Sequence, residues 1–329
     1  MKNIGVVGAG GWGTALANLM ASKGLPITLW GYEAPHVEEL RATRENKLFL
    51  PGVRLQDSVT PVSEMEAVAD CDLLLVVPPS KGIKGVAERL AEVNPRGVLV
   101  SCTKGIAQGS GLRMSEILSQ AMPNNPVAVL SGPSHAEEVS MGMPAAVVLG
   151  CEDGALATKL QHAITGNTFR IYTSTDVAGI ELGGALKNIF AIAAGVVDGL
   201  GFGDNTKAAL VTRALAELTR LGVAMGGRRE TFQGLSGIGD LMVTCFSRHS
   251  RNRAVGERLG RGETLEQIAA SMQMVAEGVP TALSAYQCAR KFGIETPITD
   301  ATHALLYEGK SSREVLVELL SRDPKPEAE

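Results

Sequence analysis

Short apolar runs recur through the first half of the chain, at Ile4–Val7, Ile27–Trp30, Leu73–Val77, Val98–Ser101, Val127–Leu130, Ala145–Leu149 and Phe169–Tyr172. Between most of them lie longer segments in which apolar positions recur at helical spacing. The first such segment follows Gly8 and carries Leu16, Leu19 and Met20 to a stop at Gly24. Strands that are apolar at nearly every position have both faces covered, and strands joined by helices build a parallel sheet. The pattern predicts an α/β, Rossmann-like doubly wound domain over residues 1–173. Beyond Thr173 only helix-length segments follow, at about 176–200, 205–225, 250–260, 264–272, 279–293, 297–308 and 312–321. An all-helical second domain over 174–329 is the simplest reading, with a charged, proline-containing tail from Ser321 that is expected to fray.

Composition narrows the class. The chain has 329 residues, is 45% hydrophobic and carries a net charge of −4. That composition suits a packed globular protein, and the slight acidic balance argues against a nucleic-acid partner. The five cysteines (71, 102, 151, 245 and 288) are far apart, so neither a disulfide framework nor a zinc knuckle is expected. Reduced cysteines and a first strand that starts at Ile4, with no room for a leader, point to a cytoplasmic protein. The most apolar stretch, Leu182–Val197, is short for a bilayer span and has Lys187 and Asn188 inside it. It reads as a buried helix and not as an integral membrane segment.

The first candidate chemistry is Gly8-Ala9-Gly10-Gly11-Trp12-Gly13, which fits G-x-G-x-x-G between a strand and a helix. Gly8 permits the tight turn, Gly10 lets a pyrophosphate approach the backbone, and Gly13 lets helix and strand pack closely. The free N–H groups of the helix start then favour an anion. NAD and NADP are harder to tell apart. An acidic residue closing the second strand would bind a ribose 2′-hydroxyl, but Gly31 or Tyr32 holds that place and Glu33 lies beyond it. Arg41, Arg44 and Lys47 are downstream cations that could meet a 2′-phosphate, or simply line a solvated helix. The balance leans slightly to NADP.

The second is Lys187. Between Glu181 and Asp198 it is the only ionisable residue, with Leu182, Leu186, Ile189, Phe190, Ile192 and Val196 around it. A helix apolar on all sides is buried. An unpaired buried ammonium costs several kcal/mol, so it must find a partner or lose its proton. A desolvated lysine with a lowered pKa is a general base, and a structural lysine paired with a carboxylate is the other reading. Gly183 and Gly184 would let a ligand or another helix come close. Asp240, after two glycines, reads as a helix N-cap, as the partner of Lys187, or as both at once, since the two roles are compatible. The run from Ser247 through Ser250, Arg251, Asn252 and Arg253 offers forked donors that suit phosphate oxygens, or is a solvated charge run. His249 reads as exposed and unemployed, and no histidine has ligand spacing, so no metal is expected. Lys104 and the segment Ser131–Ser134 follow the carboxyl ends of strands, where open α/β sheets bind ligands.

With these pieces in register, the sequence resembles the bacterial-type NAD(P)-dependent glycerol-3-phosphate dehydrogenases over nearly its whole length. The blocks are GAGGWGTALA (8–17), LWG (29–31), FLPGV (49–53), VVPPS (76–80), TKGI (103–106), SGPSHAEEV (131–139), the run beginning ELGGALKN (181–210), GIGDLMVTC (237–245), SRNR (250–253) and VAEGV (275–279). The resemblance implies Lys187 as proton acceptor, with Lys104 and Asp240 also in the catalytic group. It implies substrate contacts at Lys104, Gly132, Ser134, Lys187, Asp240, Ser250, Arg251 and Asn252. It places Gly8, Gly10, Gly11, Trp12, Gly13, Tyr32, Lys104, Ala136, Arg251, Val275 and Glu277 against the cofactor. Gly11 replaces the family's commoner serine, and Tyr32 stands where the family often has His or Arg. The implied reaction interconverts sn-glycerol 3-phosphate and dihydroxyacetone phosphate, supplying glycerophospholipid synthesis, in a homodimer. Two rivals are a related β-hydroxyacid or ketopantoate-type reductase and a nicotinamide sensor that does no chemistry. The anion cluster favours a phosphorylated substrate over the first, and the buried lysine favours an enzyme over the second.

Overall fold

A computed structural model of the chain describes residues 1–327 apart from 273 and 325. Its first part alternates strands and helices. In chain order these are β1 (Ile4–Val7), α1 (Gly11–Ala21), β2 (Ile27–Trp30), α2 (Ala34–Thr43), β3 (Val59–Val62), β4 (Leu73–Val76) and α3 (Ile83–Val93). They continue as β5 (Val98–Ser101), α4 (Met114–Ala121), β6 (Val127–Ser131), α5 (Ala136–Ser140), β7 (Ala145–Gly150), α6 (Gly154–Ile164) and β8 (Phe169–Ser174). The strands form one sheet in the order β3-β2-β1-β4-β5-β6-β7-β8. Order reverses between β1 and β4, so the carboxyl ends of these strands flank the crevice where doubly wound sheets take ligands. One pairing departs from a wholly parallel sheet: β7 runs antiparallel to β6, with β8 parallel to β7.

Strand β3 is the element missing from the sequence reading. Its run is only Val-Thr-Pro-Val, and Pro61 has no N–H to give a ladder. The structure tolerates it because β3 is an edge strand. The other strands are the short apolar runs, and their side chains fill one core on each face of the sheet.

From α7 onward the structure is helical. α7 (Val177–Gly199) and α8 (Asp204–Ala224) are followed by α9 (Arg229–Phe232), a π-helical turn at Leu235–Gly239, and α10 (Asp240–Phe246). Then come α11 (Arg251–Gly260), α12 (Leu265–Ser271), α13 (Gly278–Phe292), α14 (Pro297–Tyr307) and α15 (Ser312–Leu320). α7 is the axis of this part. Among the described residues it is the one helix long and apolar enough to cross a bilayer, and 94% of that stretch is buried inside the protein. The tail expected to fray is tied at Arg322 to Glu295, and Arg213 donates to the Glu327 carbonyl at 3.0 Å; residues 325, 328 and 329 lie outside the described residues.

Two buried carboxylates fasten helix starts to neighbouring helices. Glu181 on α7 accepts from the Ser115 N–H at 2.9 Å and from Arg113 at 3.0 Å, docking the start of α4. Glu217 on α8 accepts from the N–H groups of Ile298 and Thr299 at 2.9 and 2.8 Å, where α14 begins. An anion at a helix N-terminus meets orphan donors and the positive end of the dipole, which offsets its desolvation. α7 and α11 cross with almost no gap. A Cβ on Gly195 would overlap the Arg253 carbonyl, and one on Gly256 would overlap the Ile192 carbonyl.

This crossing gives a test. Gly195→Ala drives a methyl into backbone that has no room to move, and is expected to cost at least about 1–3 kcal/mol. Gly85→Ala on α3, where a Cβ meets nothing within 4 Å, is expected to be neutral or stabilising by up to about 1 kcal/mol. Urea unfolding compares the two, and equal midpoints would show that α7 and α11 are not locked together at this point.

Candidate active site

The glycine turn is built as a cradle for an anion. Gly8 sits at φ 125°, a conformation that L side chains rarely adopt. A Cβ on Gly13 would overlap the Gly8 carbonyl, so helix and strand close up only over glycine. Beside Gly10 there is open space, with no atom within 4 Å of an added Cβ. No side chain caps the start of α1, which leaves its first N–H groups to an incoming acceptor. These features fit the pyrophosphate of a dinucleotide. Gly11 faces Ala136, the first residue of α5, and Phe49. Trp12 turns its indole inward against Phe169, at 6.2 Å between ring centroids, so its backbone, not its ring, borders the cradle.

The cations expected near the second strand are mostly committed elsewhere. Arg41 donates to the Pro61 carbonyl at 2.8 Å and pairs with Glu38 and Glu64. Arg44, in a left-handed conformation at φ 55°, donates to the Val59 carbonyl at 2.9 Å and to that of Gln56. Arg41 on α2 and Arg44 just past its end are thus tied to β3 and to Gln56 before it, which is neither the 2′-phosphate contact nor the plain solvated face that the sequence offered for them. Lys47 is exposed, as is Glu33. Tyr32 projects from the carboxyl end of β2 with 71% of its surface accessible.

Across the crevice the charged groups converge on one carboxylate. Lys187, 5% exposed on α7, donates to Asp240 Oδ1 and, at 2.6 Å, to Thr244 Oγ1. Lys104, just past the end of β5, donates to Asp240 Oδ2 at 2.6 Å and to the Gly132 carbonyl, past the end of β6, at 2.9 Å. Asp240 therefore takes one ammonium on each oxygen. Its alternative reading as an N-cap is corrected: it opens α10 and Gly239 holds the cap position. Thr244 sits one turn later and returns its hydroxyl to the Asp240 carbonyl at 2.6 Å. Sequence reasoning passed over Thr244, although its i+4 spacing from Asp240 was the available signal.

Burial is the dominant influence on Lys187. It lowers the amine's pKa to about 7, with the Lys104 cation adding to the fall and Asp240 opposing it. Gly183 and Gly184 make the approach possible. A Cβ on Gly183 would overlap the Ser236 carbonyl, and one on Gly184 would overlap Ser131 Oγ. The room beside these glycines is thus filled by the π-helical turn and by the sheet edge. Ser134 donates to the Gly132 carbonyl at 3.0 Å, beside Lys104.

The remaining expected residues divide into three kinds. Ser250 caps α11, its oxygen accepting from the Arg253 N–H at 3.1 Å, which leaves its proton for another acceptor. Arg251 is exposed, with one donor on the Val275 carbonyl at 3.1 Å. Asn252 instead braces the scaffold, donating to Asn188 Oδ1 at 2.9 Å and accepting from the Gly278 N–H at 2.8 Å. Arg253 turns away to Asp198 at 2.6 Å, where Lys207 joins it at 2.8 Å. Glu277 accepts from the Ser80 N–H at 3.0 Å and from its hydroxyl, fastening the start of α13 to the loop after β4. Burial raises the pKa of Glu277. Two histidines were undervalued in the sequence. His249 is half-buried, with its ring 5.9 Å from that of His135. The Nε2 of His135 is buried and has no partner among the described residues, and burial followed by the cations of Lys187 and Lys104 lowers its pKa.

A cradle for a dinucleotide at one lip of the crevice, facing an ammonium–carboxylate–ammonium chain at the other, is the layout of a nicotinamide-dependent dehydrogenase. Models of both halves of one family match the chain, the NAD-dependent glycerol-3-phosphate dehydrogenase N-terminus over residues 3–157 and its C-terminus over 176–317. The chain belongs to that family. A glycerol-3-phosphate dehydrogenase (NAD(P)+) of Geobacter sulfurreducens is 50% identical over 99% of both chains, and one of Chlorobium limicola is 46% identical over the same share. The crystal structure of glycerol-3-phosphate dehydrogenase from Coxiella burnetii superposes with a TM-score of 0.94 at 37% identity, covering 98% of this chain and 99% of that one. A ketopantoate reductase from Ralstonia eutropha, at 16% identity and a TM-score of 0.62, shares the fold alone.

The shared carboxylate can be tested without turnover. Asp240→Asn leaves two ammonium groups facing an amide and is expected to destabilise by about 1–3 kcal/mol, since buried charges then lack compensation. Adding Lys187→Met removes one of those charges and should recover part of the loss. Urea unfolding of the two single variants and the double variant measures the coupling. Strict additivity would mean that the Lys187–Asp240 contact carries no interaction energy.

Proposed function

We propose that this chain interconverts sn-glycerol 3-phosphate and dihydroxyacetone phosphate with NAD or NADP, and that Lys187 handles the proton. The observation that carries this reading is the placement of Lys187: an amine buried among apolar side chains, tied to Asp240 and Thr244, and joined through Asp240 to Lys104 at the sheet edge. Family membership supplies the substrate class, and the fold brings the cradle and the amine to one crevice.

In the oxidative direction the neutral Lys187 takes the C2 hydroxyl proton on Nζ as the C2–O bond becomes a carbonyl. A dinucleotide whose pyrophosphate is held by the glycine cradle would supply the acceptor for the hydride that leaves C2. In the reverse direction the Lys187 ammonium donates to the ketone oxygen, polarises it and delivers the proton. Lys104 and Asp240 fix the direction of Nζ, while Thr244 occupies a further donor and limits its rotation. Ser250, as the neutral donor at the start of α11, and Arg251, as the exposed fork beside it, suit the substrate phosphate. Orientation of the reactants in such a site contributes roughly 7–11 kcal/mol.

The family's habits support three further proposals: a homodimer, a cytoplasmic location and a supply of glycerol 3-phosphate to glycerophospholipid synthesis. Light scattering separates a dimer from the 34.5 kDa monomer. We place the division between the nucleotide-binding and substrate parts at residues 173/174.

Lys187→Ala is expected to slow turnover by about 10²–10⁴-fold, with reduced-nucleotide binding, followed by its fluorescence, retained. In the unaltered protein, oxidation of glycerol 3-phosphate should increase as pH rises through about 7 and the amine loses its proton, while ketone reduction declines over the same window. Turnover of Lys187→Ala within tenfold of the parent, or parallel pH trends in both directions, would falsify the proton assignment. Arg251→Ala should weaken dihydroxyacetone phosphate by about 1.5–3 kcal/mol, the worth of hydrogen bonds to a charged group. Reduction of phosphate-free dihydroxyacetone should change little. An equal loss with both ketones would assign Arg251 to the cofactor or to the fold.

A further inference from the structure

The carboxyl end of β2 has no acidic residue in the place that would hold a ribose 2′-hydroxyl, and the cations nearest in sequence, Arg41 and Arg44, are bound to backbone carbonyls. A cation nevertheless stands there. Arg89 reaches from α3, on the other side of the sheet order, and lays its guanidinium over the ring of Trp30 at 5.0 Å and over that of Tyr32 at 5.5 Å. Trp30 is the last residue of β2, and its indole N–H donates to the Ser63 carbonyl at 2.9 Å, which fixes the ring. Tyr32 meets Trp30 edge to face, 6.2 Å between centroids. Two aromatic rings thus hold one guanidinium beside the strand end where a doubly wound sheet places the adenosine ribose.

We propose that Arg89 is a specificity-determining residue that reads the 2′-phosphate of NADP. The proposal deepens the dinucleotide reading above and rests on it. Contact with two aromatic rings holds the guanidinium in place without consuming its N–H donors, which stay free for a second partner. An arginine fork matches phosphate oxygens in a way that a ribose hydroxyl cannot repay. Among the described residues no carboxylate pairs with Arg89. Glu64, Glu66 and Glu92 share with it the wall of a cavity of about 350 Å³, but Glu64 is engaged by Ser63 and Arg41. The competing outcome is that exposed Glu33, next after Tyr32, accepts from the ribose hydroxyls and favours NAD.

Equilibrium binding tests this without turnover. Titration calorimetry gives the Kd of NADPH, NADH, adenosine 2′,5′-bisphosphate and adenosine 5′-monophosphate for the unaltered protein, Arg89→Ala and Arg89→Lys. Arg89→Ala should weaken NADPH and the bisphosphate tenfold or more and change NADH and the monophosphate less than threefold. Arg89→Lys, which keeps the charge but loses the plane, should lie between. An equal loss for phosphorylated and unphosphorylated ligands, or no loss for either, would overturn the assignment. If the unaltered protein binds none of the four, the dinucleotide reading itself fails, which is a different result. A thermal unfolding midpoint for Arg89→Ala that matches the parent would tie a selective loss to phosphate recognition.

Discussion

The structure depends on one awkward charge. An ammonium placed on the most apolar helix of the chain must be compensated or neutralised, and here both happen in part. Asp240 supplies a full negative charge, yet it shares that charge with Lys104, and the surroundings exclude water. Each oxygen of the carboxylate is committed to a different lysine, so the amine of Lys187 is held in place without being locked into its charged form. Burial lowers its pKa to about 7, Asp240 opposes that fall, and the Lys104 cation adds to it.

The rest of the helical part can be read as support for this arrangement. α7 must be enclosed on every side to desolvate Lys187, and its glycines let the π-helical turn, the sheet edge and α11 press against its backbone. Close backbone contact removes the gaps through which water could reach the amine. Buried glutamates at the starts of α4 and α14 then fix the neighbouring helices by their orphan N–H groups. Lys187, Asp240, Thr244 and Asn252 all have hydrogen-bond partners here, which favours a rigid site. The Arg253–Asp198–Lys207 cluster holds α11 on α7 and α8 from the solvent side.

Much of this was legible in the sequence because the signals were local. The glycine turn lies between a strand run and a helix run, and Lys187 stands out because everything near it is apolar. The pairing of Lys187 with Asp240 could be posed but not chosen, since the residues are far apart in the chain and an aspartate after glycines is also a helix cap. Strand β3 was hidden by Pro61, and its place at the sheet edge is a tertiary fact. The open choice at Arg41 and Arg44, between phosphate contact and solvated face, has the same origin: charge is visible in a sequence, but the carbonyls that consume it are not. The contact between Arg89 and Tyr32 crosses from one face of the sheet to the strand end and leaves no periodic trace.

Glu277 offers a consequence of another kind. Its carboxylate is fastened to Ser80 on the nucleotide-binding side while its own helix belongs to the other half. The lip of the crevice is therefore stapled here by two hydrogen bonds to one carboxylate, apart from the Lys104–Asp240 link that also spans it. The two banks are thus held together by carboxylates at two points, and the one that orients Lys187 is also a structural tie.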